Sequence, residues 1–66
     1  MDLKEEMLEF RAKHNLSQRK AADMARITSQ TWYSVEKGYQ NPSALTEHKI
    51  RRAMLDATVN QPNQTL

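Results

Sequence analysis

Apolar residues recur at Leu3, Met7 and Phe10, spaced i, i+4 and i+7, with Leu8 and Ala12 beside them. This single stripe predicts an amphipathic helix over residues 2–14. Asp2, Glu5 and Glu6 fall in or near its first turn, where carboxylates meet the positive end of the helix dipole. Asn15 comes next, a residue that tolerates the left-handed conformation of a helix stop. Ser17 is then a good N-cap for a short second helix over residues 18–25, which holds no Pro, Gly or β-branched residue. Its apolar face is unusually small, being Ala21, Ala22 and Ala25.

Arg26 and Ile27 interrupt the pattern, and Thr28 supplies a second N-cap hydroxyl for a helix over residues 29–37, which Gly38, the only glycine, ends. Within that helix Trp32 and Val35 lie three apart on one side. The indole is expected to point inward and fill the space left by Ala21 and Ala25. That orientation turns Ser29, Gln30, Tyr33 and Ser34 outward, with Lys37 one turn on. Pro42 and Ser43 open a last helix over residues 44–57, with Ile50, Ala53, Met54 and Ala57 as its inward stripe. Residues 58–66 are polar, contain Pro62 and show no period, which reads as a flexible tail or a short strand. The expectation is an all-α fold of four to five helices in one domain, residues 1–57, with that tail after it.

Composition narrows the function classes. With 66 residues, 38% of them hydrophobic, and no Cys, the chain is one small domain without disulfide, thiolate or redox chemistry. No apolar run nears the roughly 18 residues needed to span a membrane, and no secretory signal pattern opens the chain. A cytoplasmic setting is expected. His14 and His48 stand alone, so no metal is expected, and no nucleophile–base pair or phosphate-cradling glycine loop points to catalysis or a cofactor. The net charge is only +2, but residues 1–10 carry a net −3 and residues 11–52 a net +6, with Asp56 supplying the remaining −1. Positive charge is concentrated on the half that holds the two short helices, which suits a polyanionic partner. Lys49, Arg51 and Arg52 either extend this field or form a solvated face.

Two short helices joined by a tight turn form a helix-turn-helix, whose second helix enters the DNA major groove in known examples. Leu16, Ser17, Gln18, Ala22, Ile27, Thr28, Thr31, Glu36, Gly38, Asn41, Pro42 and Ser43, with Leu3, Met7, Phe10 and Arg11 upstream, together resemble the signature of the lambda-repressor-like, or Xre, family. That family includes phage repressors and Cro proteins, and the resemblance covers roughly residues 3–54. It implies that Ser29, Gln30, Tyr33 and Ser34 read bases and that Gln18 bonds a phosphate. Arg19, Lys20, Lys37, Tyr39, Gln40 and Asn41 would flank the groove as further phosphate contacts, with Thr31 packing or touching the backbone. It also implies a partly buried ion pair between Arg11 and Glu36. Arg26 departs from the family, which frequently has Gly at this turn; a positive φ there would cost on the order of 1 kcal/mol.

The expected function is therefore a Cro-like or repressor-like transcription regulator of a phage or mobile element. It would bind a pseudo-palindromic operator as a weak or DNA-induced homodimer, with Met54, Leu55, Val59 and the tail left as candidates for the dimer contact. The alternative is a helix-turn-helix used for protein interaction, such as an antitoxin or a polymerase-binding adaptor, in which Tyr33 and Tyr39 would be interface anchors.

Overall fold

A computed structural model describes the backbone of residues 2–59 and the side chains of residues 2–57. Four helices succeed one another: α1 (Leu3–His14), α2 (Gln18–Ala25), α3 (Ser29–Glu36) and α4 (Ala44–Val59), with no strand among the described residues. Each begins where a side chain can take up an orphan backbone donor. Asp2 accepts from the Glu5 N–H at 3.1 Å, while the Glu5 carboxylate accepts from the Asp2 N–H at 3.3 Å. This reciprocal capping box puts Asp2 just outside α1 rather than in it. The hydroxyls of Ser17, Thr28 and Ser43 accept from the N–H groups of Lys20, Thr31 and Thr46 at 3.0, 3.1 and 3.2 Å.

Three stops share one geometry. Asn15 (φ 55°), Arg26 (φ 60°) and Gly38 (φ 81°) are left-handed, and the N–H of the next residue returns to the carbonyl five residues back. These bonds are Leu16 to Arg11 at 2.9 Å, Ile27 to Ala22 at 3.0 Å and Tyr39 to Ser34 at 2.9 Å. Arg26 thus adopts the conformation for which glycine is preferred. At Gly38 the positive φ makes any substitution strained, while the exposed Lys4 side chain, whose Cδ would lie 3.0 Å from an added Cβ, need shift only slightly.

Two boundaries differ from expectation. α3 ends at Glu36, with Lys37 serving as its cap. α4 continues through Thr58 and Val59, residues whose composition suggests the start of the tail. Extending a formed helix fixes one residue per hydrogen bond, so a polar Thr and a β-branched Val do not stop it. The remainder of the expected tail, residues 60–66, lies outside the described residues, as does the side chain of Val59.

Met7, Phe10, Ala21, Ala22, Ala25, Trp32, Val35, Ile50 and Ala53 form the core, and Leu3, Leu16, Ile27, Met54 and Ala57 pack against its edge. The alanines let α2 approach both α3 and α4 closely, while α1 packs on α3. Trp32 lies in the same core as these alanines; it is fully buried and tilted against Phe10, with ring centroids 6.4 Å apart. Its burial removes about 200 Å² from water, worth roughly 5 kcal/mol in a domain with few other large side chains.

The outer surfaces of α1 and α4 are linked by charge. Arg51 of α4 donates Nη1 to both Glu6 oxygens at 3.2 Å and Nε to Glu47 at 2.8 Å. These hydrogen bonds, from Glu47 first and Glu6 second, raise the guanidinium pKa further above its ordinary value. Arg52 pairs with Asp56 at 3.2 Å. Leu55 stays exposed on this side, whereas Met54 is drawn partly into the core.

Candidate nucleic-acid interface

The candidate surface is built on a buried carboxylate. Glu36 closes α3, where Val35 and Trp32 hold the helix against the core, and its side chain is only 1% exposed. Donors from three helices satisfy it. Trp32 Nε1 donates to Oε1 at 2.7 Å, Arg11 Nη1 to Oε2 at 3.1 Å and to Oε1 at 3.4 Å, and Gln18 Nε2 to Oε2 at 3.1 Å. A buried charge left without such partners would be costly, so this junction fixes α1 and α2 relative to α3. Arg11 engages through one nitrogen only. Its Nε is enclosed without a hydrogen-bond partner among the described residues, which makes its half of the junction less complete than the bidentate form.

Inward packing of the indole does not by itself announce its N–H as part of this junction. The i, i+4 spacing of Trp32 and Glu36 is the signal that could, because it places the two side chains on one helical face. Gln18, expected at a phosphate, commits one amide N–H to Glu36. Its other N–H and its carbonyl oxygen are not consumed by that bond, and the side chain is held in a defined orientation at the first position of α2.

With Trp32, Val35 and Glu36 buried, the opposite face of α3 presents Ser29, Gln30 and Tyr33 to solvent, with Ser34 half-buried at its edge. Thr31 is also half-buried; its N–H goes to the Thr28 hydroxyl and its own hydroxyl accepts from Thr28 at 2.9 Å. Cations rim this face. Arg19 and Lys20 are exposed on the first turn of α2, Arg26 at the turn into α3 and Lys37 at the α3 C-terminus. None of the four makes an ion pair among the described residues.

After Gly38 the residues Tyr39, Gln40 and Asn41 are exposed. Gln40 and Asn41 border a groove of about 230 Å³ shared with Asp2, Leu3 and Lys4, so this part of the loop lies beside the start of α1. Tyr39 turns the other way, onto Tyr33, with ring centroids 6.0 Å apart in an edge-on arrangement. Lys37 Nζ lies 5.9 Å from the Tyr33 ring centre. Most of the expected residues therefore fall into three groups, an outward row on α3, a cationic rim and a buried junction that holds both, while Tyr39, Gln40 and Asn41 lie on the loop after α3 and Thr31 packs at its cap.

This surface offers amide and hydroxyl donors and acceptors on a convex helix, surrounded by unpaired positive charge. Among the described residues no His, Cys, Asp or Glu cluster could hold a metal ion, and no helix is long and apolar enough to cross a membrane. No protein-family model, curated protein or solved structure matches the chain.

Proposed function

We propose that this chain is a sequence-specific, double-stranded-DNA-binding transcription regulator of the lambda-repressor-like kind, acting by occupation of an operator. One observation carries the reading: α3 buries Trp32, Val35 and Glu36 while exposing Ser29, Gln30 and Tyr33 between unpaired cations. Laid in the major groove, the Gln30 amide pairs with adenine by accepting from N6 through its carbonyl oxygen and donating to N7 through its nitrogen. Ser29 can bond either kind of base edge. Gln18, oriented by Glu36, has a further N–H to offer a phosphate at the α2 N-terminus. Arg19, Lys20 and Lys37 would add charge along the backbone, and Arg26 extends that rim across the turn. Binding, with no chemical step, is the whole activity in this reading.

Two-fold dimers of such domains occupy half-sites about 34 Å apart, and the reading includes a weak or DNA-induced dimer of this kind. The experiment is selection of bound sequences from a random duplex pool, with titration of the winning site at two salt concentrations. A defined, pseudo-palindromic site is expected. Replacing Gln30 by Ala should weaken it by roughly 5- to 150-fold and relax the preference at one base pair per half-site. Binding that is insensitive to salt and unchanged by Gln30→Ala overturns the reading and favours a protein-interaction module.

A further inference from the structure

The three left-handed stops are alike in backbone, but the residue after each one is used differently. After Asn15 and Arg26 that residue, Leu16 or Ile27, folds back onto the core, as the apolar residue of this motif ordinarily does. After Gly38 the equivalent residue is Tyr39, and it remains 74% exposed. Instead of entering the core it sets its ring edge-on to Tyr33, which is itself 40% exposed on the outer side of α3. Lys37, one turn beyond Tyr33, brings its ammonium to the same ring.

Tyr33 is thus braced from two sides without being buried. An exposed aromatic ordinarily samples several rotamers, and a braced one loses less freedom when a ligand meets it. The rest of the outward row, Ser29, Gln30 and Ser34, is polar, which makes this ring the main apolar feature of the reading face. The major groove offers one apolar feature on its base edges, the methyl at C5 of a pyrimidine.

Resting on the DNA-binding reading above, we propose that Tyr33, held by Tyr39 and Lys37, senses the C5-methyl group of a pyrimidine in the major groove. Thymine and 5-methylcytosine carry the same methyl and would both be recognised. Tyr39 acts here through Tyr33 as a positioning residue, in place of the independent phosphate contact that its loop position suggests.

The test uses the full chain and the site selected from the random pool. Each thymine is replaced in turn by uracil, which removes only the methyl. One or two positions per half-site should weaken binding by roughly fourfold, the amount one apolar carbon contributes. At such a position cytosine should bind poorly and 5-methylcytosine should recover part of the loss, which distinguishes the two sources of the methyl. Tyr33→Ala should flatten the thymine-to-uracil ratio, and Tyr33→Phe should keep it. Tyr39→Ala should reduce the ratio, and Tyr39→Phe, which keeps the ring and removes the hydroxyl that a phosphate contact would use, should leave both ratio and affinity unchanged.

Specific binding in which every uracil substitution is neutral overturns the proposal, and this result needs no variant at all. A ratio preserved in Tyr33→Ala, or an affinity loss in Tyr39→Ala that spares the ratio and recurs in Tyr39→Phe, overturns it too. Failure to select any sequence is a different outcome, and it removes the DNA reading beneath the proposal.

Discussion

The α1–α4 side and the α2–α3 side of this domain treat arginine in opposite ways. On the first, Arg51 is matched by Glu6 and Glu47 and Arg52 by Asp56. On the second, Arg19 and Arg26 are exposed without a carboxylate partner among the described residues. The acids explain the difference: six of the eight lie on α1, its cap and α4, while the stretch from α2 to α3 holds only Asp23 and the buried Glu36. A net charge of +2 would be a weak argument for a polyanionic partner. Its placement is a stronger one, because most of the acids that could neutralise the α2–α3 rim are on the other side or inside.

The most damaging way to break this arrangement is to remove the carboxylate that holds the two sides together. Glu36→Ala should destabilise the domain by about 3–5 kcal/mol, since it strands the Arg11 guanidinium and the indole N–H together. A domain of this size has a total stability of roughly 3–10 kcal/mol, so much of the population should unfold. Urea denaturation monitored by circular dichroism measures this. A loss below about 1 kcal/mol would mean that the junction is incidental to the fold.

Trp32→Phe is a finer cut through the same junction. It keeps most of the buried ring and deletes one donor, leaving Glu36 Oε1 with only the longer Arg11 contact. The expected cost is about 1–3 kcal/mol. Combining it with Glu36→Gln should give a coupling energy of roughly 0.5–3 kcal/mol in a double-mutant cycle. Additive losses would show that Trp32 contributes packing alone.

Part of this architecture is legible in the amino-acid sequence and part is not, for identifiable physical reasons. The helices are legible because capping hydroxyls, helical spacing and one glycine all mark local events, and local backbone energetics decides them. The inward direction of Trp32 is legible from its spacing to Val35 and the small face of α2. The hidden part depends on side-chain direction between elements. Nothing in a one-dimensional pattern says that Arg51 reaches back across 45 positions to Glu6, which turns a candidate part of the positive field into a neutralised link. The expectation that Tyr39 meets a phosphate rests on its place in a polar loop after a helix, which does not foretell its ring contact with Tyr33. Its turn onto Tyr33 depends on the left-handed backbone at Gly38 and on where the α3 side chains stand, both of which are three-dimensional facts.

If the unpaired rim is the working surface, its loss should alter binding and spare the fold. Arg19→Ala with Lys20→Ala should change stability by no more than about 0.5 kcal/mol, as surface substitutions do. On the selected DNA site the same pair should lower the salt slope by about 1.8, equivalent to two phosphates. Arg51→Ala should leave that slope unchanged, because its charge is already answered within the protein. Equal slope changes from both sides would erase the distinction between them.

The smallest effect tests the paired side on its own terms. Arg52 and Asp56 form an i, i+4 pair with side chains 64% and 51% exposed, where water and salt screen most of the attraction. Arg52→Ala should therefore cost only about 0.3–0.5 kcal/mol at low salt and progressively less as salt rises. Thermal melts at two ionic strengths measure the difference between wild type and variant. Arg52 also lies on α4, away from the outward row of α3, so if the chain binds DNA through α3 its removal should leave the salt slope of that binding alone. A slope that falls by about 0.9 in this variant would place a phosphate against α4 and extend the binding surface around the domain. The arginines would then divide by their distance from the DNA rather than by whether the fold has already paired them.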